Sequence, residues 1–552
     1  MTILPRGMAL RRGRFALLTG LAAVALLAGI IPAAAASAQR PAASAAPAAS
    51  RCSVSYLQPE LHLGSVTVDT ATLNTTGTFT APGQAPITGL PAFCDVTLTQ
   101  TDSAGNSVHI DVWLPSDWNG RFQGVGGAVF ECGPVYSETA AAIQSGYSSA
   151  TTDCGVNPAD LLTGNWALNS NGTLNTPLID DFSYQGIHDM TMAGKAVTRL
   201  YYPSPLRYSY FNGCSTGGRE GLMEAQMFPA DYNGIVSGSP AINWTKFIPS
   251  ELWPELVMLQ SNDFLPTCIQ TAFTDAAIAA CADGSGVIEN PAACHFNPFT
   301  LVGDVTPCGT ITRTDAAVME KIWDGPIVDG RHLWYGLEPG SSTLGLAATI
   351  TSNGTTGPEA FPIPVGWLQY WLLQNPSFNW ETLSYQQFVH YFELSVSKFP
   401  VIATDNPNLS AFEHDGGKIL IWHGLADELI FPQGTIQYYQ RVQDTLGAGN
   451  TATFARLFLA PGAQHCAAAA GPAPANPLQD VVNWVEHGQA PTTILATGGV
   501  DAAGQATQRQ LCMYPYLSEY VSGDPASLSS YRCVLLTPGQ QRQLTALHPE
   551  FN

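Results

Sequence analysis

The residues best placed by type and spacing to do chemistry are Gly213-Cys214-Ser215-Thr216-Gly217, a G-x-S-x-G pattern. Residues 208–212 before it alternate in polarity, as a short strand does. Glu220-Gly-Leu-Met-Glu-Ala-Gln-Met-Phe228 after it reads as a helix. Strand, tight turn with serine at its tip, then helix is the context of a nucleophile elbow. The glycines are required because the turn is strained and no side chain fits beside the serine. The following helix would aim free N–H groups at a developing oxyanion. With 52 glycines in the chain, the five-residue pattern alone is equally an ordinary turn; the flanking strand and helix give it weight.

A serine hydroxyl needs a base, and the base needs an acid, in the chain order serine, acid, histidine. Downstream stands Gly417-Lys-Ile-Leu-Ile-Trp-His-Gly-Leu-Ala-Asp427, whose apolar run 419–422 suits a buried parallel strand. Asp427 falls just past its end. A second run, 455–460, is followed by Pro461-Gly-Ala-Gln-His465-Cys466. Sites in open α/β sheets collect at the carboxyl ends of strands. Ser215 is therefore the expected nucleophile, His465 its base, and Asp427 the group that fixes the base's tautomer. His423 and Glu428 are the rivals for base and acid. If Ser215 and His465 come within reach, Cys214 and Cys466 are close enough to bridge, the alternative being two buried thiols. The Gly-rich stretch Asn119-Gly-Arg-Phe-Gln-Gly-Val-Gly-Gly127 suits a second oxyanion donor. The backbone N–H of Gly127, together with that of Thr216, is expected to fill this role. Gly126 is nearly as good, and a plain turn is the bland reading.

The Cys-Ser, Asp and His-Cys arrangement resembles the tannase/feruloyl esterase family, in a secreted bacterial member. So do Asn212-Gly-Cys-Ser-Thr-Gly-Gly-Arg-Glu220, Phe228-Pro-Ala-Asp-Tyr-Asn-Gly-Ile-Val-Ser-Gly-Ser-Pro-Ala241 and Leu409-Ser-Ala-Phe412 leading into residues 416–427. The resemblance runs from about Cys52 to Cys533. It implies an α/β-hydrolase core with a lid-domain insertion, the triad Ser215, Asp427 and His465, and a Cys214–Cys466 disulfide. It also implies hydrolysis of phenolic-acid esters, foremost as a feruloyl esterase, with tannase (galloyl esterase) or another aromatic-ester hydrolase as the alternative. A relative that cleaves a terephthalate half-ester uses a lid arginine; no arginine stands between Arg331 and Arg441, which counts against that reading. A non-catalytic polyphenol- or glycan-binding protein on the same fold would not need all three triad residues. Family members usually carry an Asp-rich calcium loop, but here only Asp283 precedes Gly286-Val-Ile288. Calcium needs about six to eight oxygens. No metal and no cofactor are expected.

The bulk numbers bound the partners. Charged residues are 12% of 552, and the net charge is −21 with no basic stripe. Nucleic acid and anionic membranes are poor partners; a small or polysaccharide-linked aromatic ester is compatible. Arg6, Arg11, Arg12 and Arg14 precede an apolar run, 15–31, and Ala36-Ser37-Ala38 offers a cleavage site. This reads as a secretory signal peptide, with an uncleaved anchor as the alternative. The expected division is a signal peptide at 1–38, an Ala/Pro/Ser-rich linker at 39–51, core at 52–243 and 404–535, lid at 244–403 and a tail at 536–552. Twelve cysteines in an exported chain suggest six bridges. Local spacing favours Cys132–Cys154, Cys281–Cys294 and Cys512–Cys533, and Cys52–Cys94 and Cys268–Cys308 use up the rest. Alternating polarity over 52–114 suggests antiparallel strands, and residues 367–399 look helical. Seven tryptophans, Trp244, Trp253, Trp323, Trp334, Trp367, Trp371 and Trp380, fall in the insertion, either as walls for an aromatic substrate or as the lid's own core.

Overall fold

Runs such as Ile419-Leu-Ile-Trp422 leave no polar face, so a strand built from them must be covered on both sides. The computed structural model describes residues 48–102, 104–500 and 504–547, and builds these runs into a nine-stranded sheet. The expected signal peptide and the linker up to residue 47 lie outside the described residues. The strands are β1 (Val66–Asn74), β2 (Phe93–Thr101), β3 (Ser107–Pro115), β4 (Arg121–Val125), β5 (Ser148–Thr152), β6 (Tyr208–Cys214), β7 (Gly234–Gly238), β8 (Lys418–Gly424) and β9 (Ala455–Ala460). Their order across the sheet is β1-β2-β3-β5-β4-β6-β7-β8-β9. The first three strands and β5 pair antiparallel. From β5 through β4 to β9 every pairing is parallel. This mixed sheet is the α/β-hydrolase fold.

Successive residues of the parallel strands serve opposite layers. Phe211, Ile235, Ile419, Ile421 and Leu457 join the core beneath α1 (Gly186–Tyr201) and α2 (Thr216–Met227). Tyr210, Val236, Leu420, Trp422 and Phe458 pack with Val481 and Val482 of the helix Pro477–His487. Each fully buried side chain of this kind contributes about 1.5–3 kcal/mol over leaving it in water. One slipped register would move every residue to the wrong layer.

Between β7 and β8 no strand of residues 239–417 joins the central sheet. The segment opens with α3 (Trp244–Glu251), which contains Pro249. Proline has no N–H, so the carbonyl of Thr245 loses its helical partner. That carbonyl accepts the Ser395 hydroxyl at 2.7 Å, and Ser395 Oγ accepts the Trp367 indole N–H at 2.9 Å. The expected helical stretch 367–399 is three pieces, Trp367–Leu372, the short turn Trp380–Thr382 and Tyr385–Lys398, the last opened by a capping box on Ser384 and Gln387. Trp371 packs against Phe130 and Phe182 with ring centroids 5.8 and 6.3 Å apart, so the insertion shares one apolar cluster with the sheet layer. Leu536 and Leu544, in the stretch expected to be a tail, are buried.

All twelve cysteines are paired, as Cys52–Cys94, Cys132–Cys154, Cys214–Cys466, Cys268–Cys308, Cys281–Cys294 and Cys512–Cys533. No helix among the described residues is long and apolar enough to cross a membrane.

Ser395→Ala would strand the Thr245 carbonyl and the Trp367 N–H in the core. It is expected to lower unfolding stability by about 1–3 kcal/mol. Chemical unfolding followed by tryptophan fluorescence reads this directly, and an unchanged midpoint would show that the pair is not a structural link.

Candidate active site

Ser215 stands between β6 and α2 with φ 63° and ψ −125°. A non-glycine residue at positive φ persists only where its surroundings over-determine it. Here its N–H donates to Gly238 O at 3.0 Å, and its carbonyl accepts from Arg219 N–H at 3.0 Å and Ala241 N–H at 2.9 Å. The turn closes so tightly that a Cβ on Gly213 would lie 2.5 Å from the Gly217 carbonyl carbon, and one on Gly126 would lie 2.4 Å from Gly217 Cα. Those contacts are why glycine is required before the serine, at 213, and at 126, where the Gly-rich loop crosses the turn. Val129 (φ 46°) and Cys466 (φ 58°) are strained in the same sense, and both line the same cavity as Ser215.

Asp427 lies just past β8, sealed from solvent. Its Oδ1 accepts the N–H groups of Leu429 (3.0 Å) and Ile430 (2.9 Å). Its Oδ2 accepts from His465 Nδ1 at 2.9 Å and His423 Nε2 at 3.0 Å. This network puts the His465 proton on Nδ1, leaving Nε2 free to take a proton from a hydroxyl. Burial alone would raise the Asp427 carboxyl; the charge of His465 and hydrogen bonds from both histidines outweigh it and hold the group well below the usual carboxylate range. Burial alone would lower His465; the charge and hydrogen bond of Asp427, aided by Glu428, raise it above its ordinary 6.5.

The rivals have other work. His423 is fully buried, with Nδ1 on Thr435 Oγ1 at 2.9 Å and Nε2 shared with Ile430 O at 3.0 Å. It braces Asp427 from behind. Glu428 Oε2 accepts the main-chain N–H of His465 at 3.1 Å, so it holds the loop while Asp427 holds the ring.

Gly127 requires a correction. Its N–H donates to Glu220 Oε2 at 2.9 Å in the protein interior and is not offered to the site. Glu220, one turn into α2, uses that bond to pin the Gly-rich loop. Beside it the buried Arg219 donates to Ser183 O (2.7 Å) and Phe182 O (2.8 Å). Two other backbone donors border the cavity. The N–H groups of Thr216, at the first turn of α2, and of Val129 make no hydrogen bond among the described residues. The Thr216 hydroxyl donates to Val129 O at 2.8 Å and locks the two segments together. Motif spacing could not reveal Val129, because the reason lies in where Glu220 spends its carboxylate.

Ser215 and His465 line one cavity of about 270 Å³, with Cys214 and Cys466 at its edge, Cα atoms 5.9 Å apart. Of the seven tryptophans in the insertion only Trp244 borders this cavity, and the other six are buried elsewhere. Glu251, at the end of α3, also lines it and was not singled out by sequence. Just past Gly286-Val-Ile288, Glu289 is engaged by Arg509 at 3.1 Å and by the Tyr520 N–H at 2.7 Å. Among the described residues one further group of metal-ligating types gathers, His188, Glu224 and Asp231, but Lys195 Nζ already lies 3.8 Å from Asp231 Oδ1.

The family model described as tannase and feruloyl esterase matches residues 94–534. The chain belongs to the tannase and feruloyl esterase family. It is thus a carboxylic ester hydrolase. A "Probable feruloyl esterase" of Arthroderma benhamiae is 43% identical over 458 residues, 80% of this chain and 85% of that one. A "Probable feruloyl esterase B-1" of Aspergillus oryzae is 30% identical over 486 residues, 81% of this chain and 85% of that one. Among solved structures, feruloyl esterase B from Aspergillus oryzae superposes with a TM-score of 0.76 at 26% identity, covering 88% of this chain and 100% of that one. The tannin acyl hydrolase from Aspergillus niger shares the fold with a TM-score of 0.80 at 24% identity, over 91% of this chain and 97% of that one. These family relatives are fungal, and they lend no support to a bacterial origin.

If His465 is the base, it must be neutral to act, so kcat/KM should rise with pH through a limb lying above pH 6.5. Asp427→Asn removes the charge that raises His465 and leaves the burial that lowers it. The limb should move to lower pH while the maximal rate drops by about 10³–10⁴-fold. A limb that stays in place in Asp427→Asn would separate the two residues functionally.

Proposed function

We propose that the protein is a secreted serine esterase acting on phenolic-acid esters, a feruloyl esterase, through an acyl-enzyme on Ser215. The observation that carries the mechanism is the Asp427–His465 hydrogen bond, made where His465 shares a cavity wall with Ser215. Ser215 Oγ attacks the ester carbonyl carbon as His465 Nε2 takes its proton. Negative charge gathers on the former carbonyl oxygen, where the N–H groups of Thr216 and Val129 stabilise it. Collapse expels the alcohol, which leaves with the proton from His465. Water, deprotonated by the same nitrogen, then attacks the acyl-enzyme and releases the acid. The reaction so written needs no metal ion and no cofactor.

Substrate class rests on three supports. The relative at 43% identity carries the feruloyl esterase name. The cavity is walled by Trp244, Phe247, Ile248, Phe361 and Ile363, which suit an aromatic acyl group. Its volume of about 270 Å³ exceeds the roughly 150 Å³ that accepts benzene and leaves room for ring substituents and a short linker. Residues 244–403 serve as a lid in this reading, since α3 and Phe361 form one side of the cavity. Six disulfides support secretion, and the net charge of −21 disfavours nucleic acid as a partner.

A serine-reactive phosphonate should label Ser215, and Ser215→Ala should lose about a thousandfold or more in kcat. Methyl ferulate should be cleaved faster than methyl gallate or a short alkyl ester. Wild-type turnover by Ser215→Ala would refute the nucleophile. A preference for gallate would redirect the substrate reading.

A further inference from the structure

Glu251 is 3% exposed, yet among the described residues its carboxyl makes no hydrogen bond, and Oε2 is sealed from solvent without a partner. Leaving a polar group so placed costs about 1–3 kcal/mol, so such a group invites explanation. Its position supplies one. It closes α3, and the same helix sends Trp244, Phe247 and Ile248 to the cavity that holds Ser215 and His465. Of the other polar side chains there, the Thr216 hydroxyl bonds Val129 O and the His465 ring is tied through Nδ1 to Asp427, while Ser215 Oγ and His465 Nε2 are the groups assigned to the chemistry. The Trp244 indole N–H is also without a partner among the described residues, but it can only donate.

Resting on the aromatic-ester reading, we propose that Glu251 is a specificity-determining residue whose carboxyl hydrogen-bonds a ring hydroxyl of the acyl group held on Ser215. The apolar neighbours favour the acyl side over the sugar side, because a sugar would need many polar partners and this wall offers one. Burial first, and then the negative charge of Asp427, hold the Glu251 carboxyl well above the usual carboxylate range. That shift favours the protonated form. A neutral carboxyl can donate to a phenolic oxygen and accept from a phenolic hydroxyl. When the hydroxyl is missing the carboxyl stays unpaired, and the site discriminates against that substrate.

The test compares kcat/KM for methyl 4-hydroxycinnamate and methyl cinnamate in the wild type, Glu251→Leu and Glu251→Gln. The wild type should prefer the hydroxylated ester by roughly ten- to a hundredfold. Glu251→Leu should bring the ratio close to one, and Glu251→Gln, which keeps a donor and an acceptor at similar reach, should restore much of it. A structural role alone would depress both esters equally and keep the ratio; that result overturns the proposal. So does a wild type that treats the two esters alike, a result that holds even if Glu251→Leu does not fold. If the wild type cleaves a short alkyl ester but neither aromatic one, the aromatic-ester reading itself falls and takes this assignment with it.

Discussion

Ser215 and His465 belong to loops far apart in the chain, and one covalent bond joins the residues beside them. Cys214 is the last residue of β6 and Cys466 follows His465, so their disulfide joins the two loops at the residues next to the chemistry. It closes a loop spanning 252 positions, for which chain entropy gives a stabilisation of roughly 5 kcal/mol. Its local effect matters more. Proton transfer needs the serine oxygen and the imidazole nitrogen held to a fraction of an ångström, and a small misplacement loses much of the rate.

The rest of the site is arranged so that this tie meets rigid ground. The backbone of Ser215 is held at positive φ by three hydrogen bonds. Glu220 and Arg219, both buried, reach from the first turns of α2 to the Gly-rich loop and to the carbonyls of residues 182 and 183. On the other side, Asp427 takes four donors, and His423 is fixed in turn by Thr435. The strained residues Val129, Ser215 and Cys466 stand together at the rim of one cavity, while the parallel strands beneath carry the packing energy.

What could be read from sequence was what depends on neighbours along the chain. A glycine-flanked serine between a strand and a helix, and an aspartate and a histidine each just past an apolar run, are local signals, and the structure places all three at the carboxyl ends of parallel strands. Short cysteine spacings are local too. Gly127 differs from its expected role because the fate of its N–H depends on a carboxylate 93 positions away. Glu251 escaped notice because in sequence it is only a charged residue ending an apolar helix; its orphaned carboxyl exists only once α3 folds over the serine. Most of the tryptophans were open to two readings for the same reason, since only the fold decides which ring faces a cavity.

The central claim is that the Cys214–Cys466 bond positions the serine against the histidine. The most direct measurement is steady-state kinetics of a Cys214→Ala, Cys466→Ala double variant, with circular dichroism on the same sample. The account predicts a fold content close to wild type with kcat reduced by at least about tenfold. Undiminished turnover in a folded double variant would contradict it.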